Sequence, residues 1–226
     1  NLFNNPGIWK KLAIFNQEEE KNNSDLANFL STMQTSELSE NFDISLDGYI
    51  NLENHAKLSA YTVITQNYHH DRWHNMRLFL DPWNGYVNQI IVDPHLGDNV
   101  NGKFALDFST NDLTALLHRS SEFNHSKYIS LLSFIKDAEI IKKNLKFIED
   151  ISKDLKVSLK RDPEMNSKRT LEKFELVAQY LKSNEDSIIK QFNSIPNARW
   201  KKNDNGFSIF INDKMPISDI KLSFLS

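Results

Sequence analysis

Cysteine is absent from all 226 residues. That excludes a disulfide-stapled scaffold, a thiolate zinc site and a cysteine nucleophile, and it suits a reducing compartment. Glycine and proline are scarce, at six residues each, and no complete glycine-rich phosphate loop is present. No apolar run approaches the roughly 18 residues that a membrane helix needs. No leader with a basic start and an apolar centre is visible, so the expectation is a cytoplasmic chain with no membrane contact. Low complexity and internal repeats are missing too.

Apolar side chains make up 39% of the residues and aromatics 11%, including fifteen phenylalanines and four tryptophans. This is enough to build a core and too much for a disordered protein. Net charge is only -3, yet its distribution is uneven. Residues 1–126 carry eight Lys/Arg against sixteen Asp/Glu, a net of -8, and residues 127–226 carry nineteen against fourteen, a net of +5. The acidic half repels phosphate backbones, and the lysines of the basic half alternate with acids as on a solvated helix surface. Nucleic acid is therefore not the expected partner.

Punctuation and periodicity divide the chain. Pro6-Gly7 marks a turn, and Ile8 to Phe15 is apolar enough for a short helix or strand. Ser24 is placed to cap a helix whose apolar positions, Leu26, Phe29, Leu30 and Met33, recur at helical spacing. Phe42 to Leu46 alternates and stops at Asp47-Gly48, which predicts a small hairpin continuing into Tyr49-Ile50. Leu52 to Gln66 reads as a helix with Ala56, Ala60 and Val63 on one side. Strands are expected at Met76–Leu80 and Tyr86–Val92 around the turn Asn84-Gly85, with a third extended segment at Lys103–Phe108. Ser109 to Asp112 then caps a helix beginning at Leu113.

From Lys127 the period is helical to about Leu155. Asp162-Pro163 breaks it, and a second helix runs from Ser167 to Phe192. Phe207–Ile211 and Ile220–Leu225 return to a period of two. The expected fold is α+β: an antiparallel sheet with flanking helices in residues 1–126, then a long helical hairpin and a C-terminal strand pair in residues 127–226.

All seven histidines lie between His55 and His125, so candidate chemistry concentrates there. His70 and His74 are four apart and would share one face of a helix, although the segment does not read clearly as helical, and His69, Asp71, Asp93, His95 and Asp98 are possible further metal ligands. Asp81, Asp93, His95 and His118 are candidate acids and bases beside a hairpin. Against this, Asp81-Pro82 and Asp93-Pro94 sit at strand ends, where Asx-turns explain them. No metal-protease histidine pair and no nucleophile elbow is present. The expectation is a chain without metal, cofactor or catalytic residues. A metal-dependent hydrolase or nuclease using His70, His74, Asp93 and His95 within the block 69–98 is the alternative. Arg72, Trp73, Trp83 and Tyr86 crowd the same hairpin, and these residue types anchor protein interfaces because they bury much area for few rotors. An acidic surface beside them suits a basic partner.

The run Arg77-Leu78-Phe79-Leu80-Asp81-Pro82-Trp83-Asn84-Gly85-Tyr86-Val87-Asn88-Gln89-Ile90 resembles the central strands of the SMI1/KNR4 (SUKH) family. Gly48-Tyr49-Ile50-Asn51-Leu52 followed by a helix, and the segment Phe108 to Leu117, are similar to the flanking parts of that family. The resemblance covers about residues 26–117. The family's usual opening Leu-Pro-x-x-Tyr is replaced by Asp25 to Leu30. It implies an α+β fold and a non-enzymatic protein-binding role, of the kind in which a bacterial immunity protein neutralises a toxin by binding it.

Overall fold

The computed structural model describes residues 2–12, 21–38, 46, 48–69, 75–92, 105–159, 161, 167–193, 198–203 and 206–211. It is a mixed α+β chain whose described residues form two separate two-stranded antiparallel sheets and several helices. The helices are α1 (Ser24–Leu38), α2 (Leu52–Thr65), α3 (Asp112–Leu117), α4 (Ser121–Lys136), α5 (Ala138–Leu159) and α6 (Ser167–Phe192). Strand β1 (Arg77–Leu80) pairs with β2 (Val87–Ile90), and β3 (Ala198–Asn203) pairs with β4 (Gly206–Ile211). No described helix is long and apolar enough to cross a membrane.

Contacts divide the chain into two compact units: 1–62, 67–95 and 108–127 in the first, and 63–66, 96–107 and 128–226 in the second. Phe29, Leu30 and Met33 of α1 form the first unit's core with Phe3, Leu46, Ile50, Ala56, Val87, Leu113, Leu116, Leu117 and Phe123. The apolar positions of α1 and α2 are buried at the spacing their periodicity requires, because a helix returns to one face every three to four residues. In the second unit Leu131 and Ile188 are fully buried, the rings of Tyr128 and Phe192 meet edge to face at 6.0 Å, and the Asn184 amide donates to Ile64 O at 3.0 Å.

Several local expectations need correction. Ser24 is the first helical residue and not the cap. Asn23 holds the cap position, its carbonyl accepting from Ala27 N at 2.8 Å, and the Asn22 side chain just before it accepts from Ser24 N at 3.1 Å. Around Pro6 the chain forms two short 3-10 turns, Leu2–Asn4 and Pro6–Ile8, while residues 13–20 lie outside the described set. The Gly48 turn exists, with φ +84° and both Tyr49 N and Ile50 N donating to Leu46 O, but Tyr49-Ile50 does not continue as a strand. Residues 105–108 are turn and coil and form no third strand. The helix expected from Lys127 begins at Ser121 and is interrupted at Asp137, whose carboxylate accepts from Ile140 N at 3.1 Å and so starts α5. Strand β4 pairs with Ala198–Asn203; the expected strand Ile220–Leu225 falls outside the described residues.

Helix α2 ends in a Schellman closure. Gln66 takes φ +54° and Asn67 N donates to Thr62 O at 3.2 Å, so a buried glutamine stands where glycine is the usual residue.

Candidate functional site

Of the four residues expected to bind a partner, Trp83 and Tyr86 are described. Arg72 and Trp73 lie outside the described residues, as do His70, Asp71, His74, Asp93, His95 and Asp98. Among the described residues no three histidine or carboxylate side chains are grouped as metal ligands.

The β1–β2 turn is built almost entirely from its own polar groups. Asp81 N donates to Tyr86 O and Gly85 N to Asp81 O, both at 2.8 Å. The Asp81 carboxylate accepts from Trp83 N at 2.9 Å and from the Asn84 amide at 2.8 Å, while Asn84 Oδ1 accepts from Tyr86 N at 2.9 Å. Gly85 carries φ +76°, the left-handed conformation that the Asn-Gly sequence favours. Asp81 is thus an Asx-turn residue, the structural role its place before Pro82 implies.

This closed turn holds Trp83 outward, 95% exposed, while Tyr86 is half-buried. Phe79, Leu80, Ile90 and Ile91 are exposed on and beside the same two strands. Phe79 and Ile90 share one face of the two four-residue strands and Trp83 stands at their tip; isolated exposed apolar residues are common, but grouped ones mark contact surfaces.

The inner face of the hairpin is fixed to α2 and α3 by a polar chain. The buried His55 donates from Nε2 to Val87 O at 2.7 Å, and its Nδ1 accepts from the Gln89 amide at 3.3 Å. Gln89 also donates to Thr114 Oγ1 at 3.4 Å and accepts from the Asn111 amide at 3.2 Å. Asn111 in turn caps α3 by accepting from Thr114 N at 2.9 Å. Burial lowers the His55 pKa below its ordinary value, opposed by the bond to Val87. A neutral ring with each nitrogen satisfied is a structural histidine rather than a proton shuttle.

His118 has a similar place. Its Nδ1 donates to Asn124 Oδ1 at 2.7 Å, and its Nε2 accepts from Lys127 Nζ at 3.3 Å. Lys127 is fully buried and also donates to Phe108 O at 3.5 Å. His69 lies against the Tyr68 ring at 5.2 Å. Sequence reasoning did not find the His55–Gln89–Asn111 chain, nor the buried lysine. The only signal was a polar residue at each core-facing turn of an apolar helix.

Along α5 and α6 runs an open groove of about 990 Å³ floored by Ile141, Leu145, Ile148 and Ala178. Its charges are mixed, and Lys153 is paired with Glu149 at 2.8 Å and Asp150 at 3.8 Å. That is the pattern of a solvated helix face, not of a phosphate-binding surface.

The chain matches no known family, curated protein or solved structure in the three comparisons made.

Proposed function

We propose that this chain is a non-enzymatic protein-binding module whose contact surface is the β1–β2 hairpin. One observation carries the reading: Trp83 is 95% exposed at the tip of a turn whose backbone is held by its own side chains. A rigidly presented tryptophan loses little conformational entropy on binding and brings a large area with it. Arg72 and Trp73 are proposed to extend this surface.

The partner is a basic protein. Residues 1–126 carry a net -8, which favours encounter with a positively charged surface. Within that class, the similarity of Arg77–Ile90 to the SMI1/KNR4 strands supports an immunity-type role, in which the partner is a bacterial toxin held inactive by the complex. The helical hairpin and terminal strand pair of residues 127–226 are read as an accessory unit.

The test is co-purification from the source cells with wild-type chain and with Trp83→Ala. A basic protein retained by the wild type, lost from the variant, and less toxic when co-expressed with the chain supports the reading. Equal retention by both chains removes the hairpin from it, and no change in toxicity removes the immunity role.

A further inference from the structure

Strand β1 has an open and self-complementary edge. Asp81 N bonds Tyr86 O, and the register pairs Leu80 with Val87 and Leu78 with Gln89. Antiparallel ladders alternate, so positions 81, 79 and 77 direct their backbone groups toward β2, while Leu78 and Leu80 direct theirs away from it. The same alternation turns Val87 N away from β1, and there it donates to Tyr49 O at 2.8 Å. The outer side of β2 is therefore engaged at that point. No described residue takes the outward groups of Leu78 and Leu80.

The sequence of this edge reads alike from both ends about Phe79: Arg77-Leu78-Phe79-Leu80-Asp81. An antiparallel second copy centred on Phe79 sets Leu78 against Leu80 in hydrogen-bonded pairs. It sets Arg77 against Asp81 in non-hydrogen-bonded pairs, whose side chains approach more closely. Phe79, 46% exposed, meets its own counterpart, and Ile90, 43% exposed, flanks it on the same face of the sheet. A second copy in this register gains the backbone bonds together with an opposite-charge pair at each end.

We propose that the chain forms a two-fold dimer through β1, joining two hairpins into one four-stranded antiparallel sheet of order β2-β1-β1-β2. The interface is isologous, as closed homodimers require. Pairing removes an edge that would otherwise template uncontrolled association. Trp83 lies beyond Asp81, outside the paired residues, so the dimer stands or falls separately from partner binding.

Sedimentation of the full chain over a concentration series tests it. The wild type is expected to pass from monomer to dimer, with amide exchange at Leu78 and Leu80 slowing as dimer forms. Arg77→Asp places like charges opposite each other at both ends and should weaken the dimer about tenfold or more. Leu80→Pro deletes only an outward N–H, which edge strands tolerate, and should leave monomer at all concentrations with an unchanged circular dichroism spectrum. Should Leu80→Pro unfold the hairpin, the exposed Arg77 substitution decides. A wild type that stays monomeric, or an Arg77→Asp chain that dimerises as the wild type does, overturns the proposal.

Discussion

His55 Nε2 and the backbone oxygen of Val87 are 2.7 Å apart, and this bond fastens helix α2 to the strand that follows the Trp83 turn. Because the ring is buried, protonating it requires Gln89 to stop donating to Nδ1. The folded pKa lies below the ordinary 6.5, so the unfolded chain binds the proton more readily. Stability from this group is full above pH 6.5 and is lost as pH falls below that value toward the lowered folded pKa. Denaturant unfolding of wild type and His55→Gln at neutral and mildly acid pH should show a shallower acid loss in the variant. His55→Ala should cost about 2–4 kcal/mol at neutral pH, from the opened cavity and the orphaned carbonyl.

Asn111 serves two elements at once, capping α3 and holding Gln89. Asn111→Ala should destabilise the chain by about 1–2 kcal/mol, the upper end of an ordinary cap loss. Asn111→Asp keeps the cap and loses the donor to Gln89. Equal costs for the two substitutions in chemical denaturation would show that the bond to Gln89 alone matters, and an unchanged stability in Asn111→Asp would show that the cap alone does.

Ser59 is buried, and its hydroxyl has no hydrogen-bond partner. Replacing such a group with an apolar one of similar size removes a desolvation cost. Ser59→Ala is expected to raise the unfolding midpoint, by about 1 kcal/mol in stability. A lowered midpoint would show that the hydroxyl has a bonded partner in solution.

Gly85 occupies φ +76°, and a Cβ built there meets nothing nearer than Gly48 O at 3.8 Å. Space is available, so Gly85→Ala should cost only the backbone strain, about 1 kcal/mol. Gly85→Asn should cost less, since asparagine tolerates the left-handed region. Thermal melts of the two variants distinguish strain from crowding.

Trp83→Ala should leave stability within about 0.5 kcal/mol of the wild type, as for surface sites without partners. The same substitution should weaken a bound partner by about 2 kcal/mol or more. Calorimetry with the co-purified partner, alongside a melt of the free chain, measures both.

Much of the fold was legible in sequence where one signal dominated. Apolar spacing located α1 and α2, Asn84-Gly85 located the hairpin, and the polar cluster Ser109 to Asp112 located the start of α3 to within a residue. The errors fall where side chains compete with the backbone. Asp137 interrupts an otherwise continuous helical pattern by capping the next helix, and apolar periodicity does not register such a change. Ala198–Asn203 carries three basic residues among six, so its strand pairing with β4 was not visible as an apolar alternation. At the candidate site, Trp83 was legible because its neighbours are turn residues. The His55–Gln89–Asn111 chain was not, because it joins residues 22 to 56 positions apart through tertiary contact.

The turn of Asp81, Asn84 and Gly85 closes without help from the Trp83 side chain. Position 83 is consequently decoupled from folding, and replacing its side chain alters what the hairpin meets while leaving how it is held unchanged. Under the binding role proposed above, single substitutions at this position would exchange one binding preference for another without passing through unfolded intermediates, and the same freedom makes the hairpin a place to graft new specificity by design.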